Sequence, residues 1–164
     1  MERGSTLFLK LALIIIGIPI LGLCVIGLPK IAVVAFEELA NGATTLPYMV
    51  IGILAVMYIS AVPFYIALYQ AFLLLNYIDT NQAFSQISVN ALRKIKNCAK
   101  TICVLYAVVL PFVFIIAQWD DAPGLVLIGM VVVGASLVIA VFAAVLQRLL
   151  QEAIDIKTEN DLTV

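Results

Sequence analysis

Four long apolar stretches fill most of this 164-residue chain, and they restrict its fold more than any other feature. Three of them are close to the ~20 residues that a helix needs to cross the hydrocarbon core of a bilayer, and the second is longer than the bilayer requires. Because a bilayer offers no water to the backbone, a spanning segment must be a helix or belong to a closed barrel, and these stretches do not alternate with a period of two. The sequence therefore predicts four membrane-spanning helices, at about residues 7–28, 46–78, 102–118 and 125–146.

Composition agrees with a membrane-embedded chain. Hydrophobic residues make up 65% of the sequence and charged residues 12%, which is too little charge to cover a soluble domain of this length. The predicted fold is one all-α domain over 1–164, an integral membrane four-helix bundle with up-down topology in contact with the lipid bilayer. A net charge of −1 gives no field that would attract nucleic acid, so direct nucleic-acid binding is not expected.

Basic residues predict the orientation of the chain. Eight of the nine Lys and Arg residues lie near the N-terminus, in the loop 79–101 or in the tail 147–164, and only Lys30 lies elsewhere. Short loops rich in Lys and Arg remain in the cytoplasm. We therefore predict a multi-pass protein of the bacterial cell membrane, with both termini and the middle loop in the cytoplasm.

Two cytoplasmic segments are candidate partner-binding surfaces. Residues 85–100 predict an amphipathic helix leading into the third span, with a basic side that includes Arg93, Lys94 and Lys96. This helix either lies along an anionic inner leaflet or serves only as a positive-inside anchor. The tail is predicted to be helical at first and to end in the β-prone residues Leu162, Thr163 and Val164, preceded by Asp161. Such an end either docks on a soluble partner, with an extended strand adding to its sheet, or folds back on the basic helix.

The opposite side of the membrane carries short connections. Residues 30–40 predict an interfacial helix that begins behind Pro29 and is capped at Asn41 and Gly42. The turn at 120–124 is so short that the third and fourth spans must be antiparallel neighbours.

Two sets of residues within the spans have a structural and a functional interpretation. A polar and aromatic stripe on the second span is either hydrogen-bonding glue facing the bundle or the wall of a pocket for a small amphipathic or peptide ligand: Tyr58, Tyr65, Tyr69, Phe72 and Asn76. Small residues on one face of the fourth span permit close packing against the first span or against a second copy in a homo-oligomer: Gly129, Ser136, Ala140 and Ala144.

An enzyme is not expected. The chain has no histidine, and no Asp or Glu lies in the middle of a span, where ionisable groups of pumps and transporters are found. Neither a phosphate-binding glycine loop nor a metal-ligand spacing is present. Three cysteines, two of them five residues apart, do not describe a disulfide framework. The sequence therefore predicts no catalytic residue, no cofactor and no metal.

The middle loop and the tail carry a family resemblance. The loop contains AFS at 83–85 and VNALRKI at 89–95, and the tail ends in KTENDLTV at 157–164. With four spans, these motifs resemble the bacterial membrane proteins grouped as domain of unknown function 2975. The resemblance implies a small helix-turn-helix regulator as a partner, because members are often encoded beside one. Two hypotheses follow: a non-enzymatic regulatory or sensory protein that engages a soluble partner, or a small-molecule or peptide channel, transporter or immunity-type membrane protein.

Overall fold

The computed structural model describes residues 3–163, and all regular structure within them is helical. The elements are α1 (Arg3–Gly22), α2 (Leu28–Ala40), α3 (Leu46–Asp79), α4 (Gln86–Trp119) and α5 (Gly124–Leu162), with a π-helical turn (Leu23–Gly27) between α1 and α2. In the described residues, four continuous helical stretches are long and apolar enough to cross a membrane. The predicted all-α four-helix fold is confirmed.

The first helical stretch is longer than expected. Residues 30–40 are helical, but they do not form a separate interfacial helix, because the chain continues from α1 through the π turn into α2 without a break. Within this turn the N–H of Leu28 donates to the carbonyl of Leu23, five residues earlier instead of four. The wider turn lies directly before Pro29, whose ring crowds the preceding turn of a regular α-helix. With this π turn the helix continues through Pro29 instead of ending before it.

Three helices end with the same local structure. The second residue beyond α2, α3 and α4 is Gly42, Asn81 or Asp121, with a φ of 91°, 59° or 52° respectively. The N–H that follows each of them donates to a carbonyl five residues earlier, at 3.1, 2.7 and 3.0 Å. Gly, Asn and Asp tolerate this left-handed conformation better than other residues do, so the local sequence ends each helix. The predicted cap at 41–42 and turn at 120–124 are confirmed.

The helices pack in the order of the chain. α4 lies between α3 and α5, and both α1 and α2 pack on α3. Among the described residues no extended contact joins α1 to α5. The bundle is therefore an open row of antiparallel helices.

The small residues of the fourth span face α4. Ser136 and Ala140 are buried, and a Cβ placed on Gly129 would lie 3.8 Å from the side chain of Leu110 in α4. The expected alternative, packing of this face on the first span, is wrong. The short turn between α4 and α5 explains the result, because it forces these two helices together before either can meet α1.

The two ends of the bundle carry opposite charge. An ion pair between Lys10 and Asp79 joins the beginning of α1 to the end of α3, and a hydrogen bond from Lys96 to Gln147 joins the beginning of α4 to the end of α5. We call this the basic end, since it carries Lys10, Arg93, Lys94, Lys96, Lys100, Arg148 and Lys157. The other end, the acidic end, carries Glu37, Glu38, Asp120 and Asp121 with Lys30.

Candidate functional site

A polar recess lies between α4 and α5 at the basic end. It has a volume of about 350 Å³ and is lined by Arg93, Lys96, Ala144, Gln147, Arg148, Gln151 and Glu152. The side chain of Lys96 donates to the Oε1 of Gln147 over 2.8 Å, which ties the two walls together. Three cations and one carboxylate line the recess, so its net charge is positive. We call it the basic recess.

Helical periodicity places these side chains together. Arg93 and Lys96 are one turn apart on α4, and Gln147 and Gln151 are one turn apart on α5. The remaining faces of the same α4 turns bury Val89, at 0% exposure, among other apolar residues. Burial of that side fixes the rotation of α4, and this directs the basic side chains toward α5 and the surrounding medium.

The predicted basic surface is divided by the structure. Arg93 and Lys96 meet in the basic recess, whereas Lys94 is exposed and does not line it. The sequence interpretation did not include Arg148 and Glu152, which belong to the site through α5. An i,i+4 ion pair joins these two, with 3.0 Å between the Nε of Arg148 and the Oε1 of Glu152. The signal was present in the sequence, since the polar residues of α5 begin directly after its last apolar turn.

The tail differs from the expected extended end. α5 continues to Leu162, and Thr163 caps it with its hydroxyl donating to the carbonyls of Glu159 and Asn160, each over 3.0 Å. Asp161 and Leu162 are therefore helical, and the expected extended conformation is wrong for Leu162. Val164 lies outside the described residues.

The tail also makes no ion pair with the basic helix in the part of the chain that the structure describes. The salt bridges there join Lys10 to Asp79 and Arg148 to Glu152. The side chain of Leu162 is 81% exposed, and the residues from Asp155 onward are exposed as well. The expected alternative of a tail folded back on Arg93 to Lys100 is not seen, and this surface is open to a partner.

The tyrosine stripe of α3 holds the first span in place. The hydroxyl of Tyr58 donates to the backbone carbonyl of Cys24, and that of Tyr65 to the carbonyl of Gly17, each over 2.9 Å. In the π turn, the backbone donor for Cys24 would be the N–H of residue 29, and residue 29 is a proline. Tyr58 therefore supplies a donor that the helix itself lacks.

The rest of the stripe lines neither of the two recesses described between α4 and α5. Tyr69 is 61% exposed on the outside of the bundle, which contradicts the expectation that it faces inward. Asn76 is half-buried, and its backbone carbonyl accepts from the N–H and the hydroxyl of Thr80, both over 3.1 Å. Phe72 lies under the ammonium group of Lys10, 5.7 Å from the ring centre. The geometry favours the structural interpretation of the stripe.

A second polar cluster at the basic end was not predicted. Asp79, the last residue of α3, accepts from the hydroxyl of Thr6 and pairs with the ammonium group of Lys10, each over 2.5 Å. Thr6 is 1% exposed, and the carboxylate and the ammonium group are both partly shielded. The sequence interpretation did not include this pair, because Lys10 and Asp79 are 69 residues apart. This cluster fixes the beginning of the first span against the end of the second.

The acidic end contains a larger open groove. It has a volume of about 780 Å³ and lies between the ends of α4 and α5, lined by Phe114, Ala117, Gln118, Trp119, Asp121, Pro123, Val126, Leu127 and Met130. Trp119 is the single tryptophan of the chain. In the described residues, no group of three or more Cys, Asp or Glu side chains is arranged to hold a metal ion.

Comparison with known proteins identifies relatives of the whole chain. The family described as "Protein of unknown function (DUF2975)" matches residues 34–164. A protein of Bacillus subtilis (strain 168), "Uncharacterized membrane protein YoaS", is 56% identical over 164 residues and is matched over its full length, as is this chain. No solved structure matches.

Proposed function

The chain belongs to the DUF2975 family of bacterial membrane proteins, and from this premise we propose a non-enzymatic regulatory or sensory protein whose basic end lies in the cytoplasm and engages a soluble protein there. The observation that carries the proposal is the length of the last two helices. α4 and α5 rise roughly 51 and 58 Å at 1.5 Å per residue, while the hydrocarbon core is roughly 30 Å thick. Both helices continue beyond their apolar stretches at the basic end, where residues 86–101 and 147–162 form what we call the projecting pair.

The charge distribution supports this orientation. Eight of the nine Lys and Arg residues lie at the basic end or in the terminal segments that meet there. Lys and Arg in short loops favour the cytoplasmic side. The projecting pair then extends roughly 24 Å beyond the hydrocarbon core on the cytoplasmic side, through the headgroup layer.

The surface of the projecting pair suits a protein partner. Ile156 and Leu162 are exposed on α5 at 61% and 81%, ten or more residues beyond the predicted end of the fourth span. Exposed apolar side chains outside a membrane are typical of a surface that another protein covers. Carboxylates of the same segment surround them: Asp155, Glu159 and Asp161.

We propose that the partner is a small helix-turn-helix regulator, as the family resemblance implies. The chain itself carries a net charge of −1 and is not expected to bind nucleic acid. The acidic and apolar side of α5 would bind the regulator, and the membrane would then hold the regulator away from DNA or release it to DNA. Lys94, exposed on α4, is a further candidate contact for the regulator.

Co-purification with a helix-turn-helix regulator encoded beside this protein tests the proposal. In detergent, we expect Ile156→Glu to weaken binding of the regulator at least tenfold, because it places a charge in the apolar contact. Lys157→Gln is the matched control: it makes the charge more negative by the same one unit at an exposed residue that lies on another side of α5 from Ile156 and Leu162, and it should retain binding. Equal binding by the wild-type chain and both variants would contradict the proposed surface.

Deletion of 161–164 tests the tail separately. The expected result is unchanged helix content and detergent stability with weaker binding of the regulator, since residues 161–163 are exposed and Asp161 and Leu162 lie in the last turn of α5. If the deletion unfolds the protein without a specific loss of binding, the tail acts as an intramolecular clasp. If it changes neither quantity, the proposed role of the tail is wrong.

One observation favours a second function, recognition of a small amphipathic molecule or peptide. The groove at the acidic end combines aromatic and apolar walls with the carboxylate of Asp121. Such a groove suits a cationic amphiphile, and its single tryptophan gives a direct assay. Titration with dodecyltrimethylammonium below its micellar concentration should shift the emission of Trp119 in a saturable way, and a linear response would count against this function.

A further inference from the structure

The basic recess carries more positive charge than the protein neutralises. In the part of the chain that the structure describes, Arg93 and Lys96 have no carboxylate partner, and the hydrogen bond of Lys96 is to the neutral amide of Gln147. Glu152 is already paired with Arg148. Arg93, Lys96 and Arg148 therefore converge on one recess with a net excess of positive charge, which favours an anion between the two helices.

The position of the recess along α5 matches the headgroup layer. The apolar stretch of α5 ends at Leu146, and the α5 wall of the recess extends from Ala144 to Glu152. These residues rise roughly 12 Å along the helix. A headgroup layer occupies roughly 5–7 Å on each side of the hydrocarbon core. The recess thus begins at the edge of the hydrocarbon and continues through the layer in which phospholipid phosphates lie.

The surface beside the recess is apolar and faces outward. Val145 and Leu149 are both about half exposed on α5, on either side of Arg148 in the sequence. A molecule with an anionic head in the recess could lay an acyl chain along this surface. A free phosphate would leave it unused, so the arrangement favours a lipid over a soluble anion.

We propose that the basic recess is a binding site for the phosphodiester of an anionic phospholipid, of the phosphatidylglycerol class, in the leaflet at the basic end. The guanidinium group of Arg93 supplies paired N–H donors for two phosphate oxygens, and Lys96 adds a point charge. The amides of Gln147 and Gln151 line the same recess and can bond to a glycerol headgroup. The bound lipid would also offset the repulsion between the cations of α4 and α5 and so hold the bases of both projecting helices together.

This inference does not depend on the proposed regulator. It concerns the recess between the helices, whereas the regulator is proposed to bind the exposed side of α5 around Ile156. Loss of lipid binding and loss of regulator binding are separate measurements on separate variants.

The test is lipid binding by the full-length protein in detergent, measured by native mass spectrometry. The probes are dioleoyl phosphatidylglycerol, dioleoyl phosphatidylcholine and, in a third arm, inorganic phosphate. The site variant is Arg93→Gln/Lys96→Gln, and the matched control is Lys94→Gln/Lys100→Gln. The control removes the same charge from the same helix, at two exposed residues that do not line the recess.

We expect the site variant to bind phosphatidylglycerol about thirtyfold more weakly than the wild type, from roughly 1 kcal/mol for each basic side chain that loses its hydrogen-bonded contact with the phosphate. The loss of affinity for phosphatidylglycerol should be at least tenfold smaller in the control than in the site variant. Phosphatidylcholine should bind weakly to all three proteins. Circular dichroism and gel filtration of each variant verify folding. If the double variant does not fold, Arg93→Gln alone serves, because Arg93 is exposed and the loss of its contact with the phosphate should weaken binding about fivefold.

Three results would overturn the proposal. Equal losses in the site variant and the control would mean a diffuse basic surface without a site. Unchanged binding in the site variant would exclude the recess. Inorganic phosphate that displaces phosphatidylglycerol at millimolar concentration, or binds as well as the lipid, would assign the recess to a soluble anion.

Discussion

The hydrogen bonds from α3 to the first span give the sharpest prediction. Tyr58→Phe/Tyr65→Phe removes both hydroxyl groups while keeping both rings, so the apolar contacts of the two side chains remain. In the native protein the two hydroxyl oxygens lie 2.9 Å from the carbonyl oxygens of Cys24 and Gly17, and each carbonyl loses this donor in the variant. The double variant therefore isolates the contribution of hydrogen bonding to the packing of the first span.

The expected cost follows from the position of these bonds. Interhelical hydrogen bonds in membrane proteins contribute about 0.6 kcal/mol on average and up to about 1.7 kcal/mol. The carbonyl of Gly17 lies in regular α-helix, which suggests the average value for Tyr65. The carbonyl of Cys24 lies in the π turn and faces Pro29, so the loss of Tyr58 should cost more than the average. Together, we expect the free energy of unfolding to fall by about 2 kcal/mol.

Unfolding in mixed micelles, followed by circular dichroism with increasing dodecyl sulfate, measures this difference. Tyr69→Phe is the control: it removes the same hydroxyl from the same helix at a side chain that is 61% exposed. We expect it to change the unfolding free energy by less than about 0.5 kcal/mol. If the double variant is as stable as the control, or if Tyr58→Phe costs less than Tyr65→Phe, the assignment of Tyr58 to an unsatisfied carbonyl is refuted.

Three further predictions concern other contacts. A double-mutant cycle with Lys10→Met and Asp79→Asn should give a coupling energy of about 1 kcal/mol, since the pair is partly shielded from solvent, and a coupling near zero would show that the ion pair does not stabilise the bundle. Ala140→Leu should destabilise the protein by about 1–3 kcal/mol, because the alanine is buried against α4, and retained stability would place this face toward lipid. In a background without the native cysteines, a cysteine that replaces Asp121 should react with an impermeant thiol reagent added to intact cells. A cysteine that replaces Thr158 should react only after lysis, and the reverse pattern would invert the proposed orientation.

Local features of the sequence were sufficient to predict most of the fold. Hydropathy is summed over ~20 neighbouring residues, so the spans follow from composition alone. The ends of α2 and α4 follow from the left-handed preference of Gly42 and Asp121. The first helix was predicted to end too early, because Pro29 was taken as the beginning of a new helix. The π turn that accommodates this proline involves contacts with Tyr58 in another helix, and these do not appear in the local sequence.

The candidate sites were predicted only in part, for the same reason. Arg93 and Lys96 were identified from their own helix, but Arg148 and Glu152 join them only once the register of α4 against α5 is known. Tyr69 was assigned to the bundle because it lies four residues after Tyr65. A shift of four residues displaces a side chain by about 40° around the helix axis. In an open row of helices, the first span covers only one part of the surface of α3, and Tyr69 lies outside that part.

The open row of helices has a consequence for biosynthesis. Since the first span packs on α3, α3 on α4 and α4 on α5, each helix meets its neighbour as soon as that neighbour leaves the translocation channel. In the described residues, no extended contact between α1 and α5 has to wait for the end of translation. The loop between α3 and α4 is then the one connection between two hairpins, and fragments 1–82 and 83–164 expressed together should reassemble in the membrane through the α3–α4 interface.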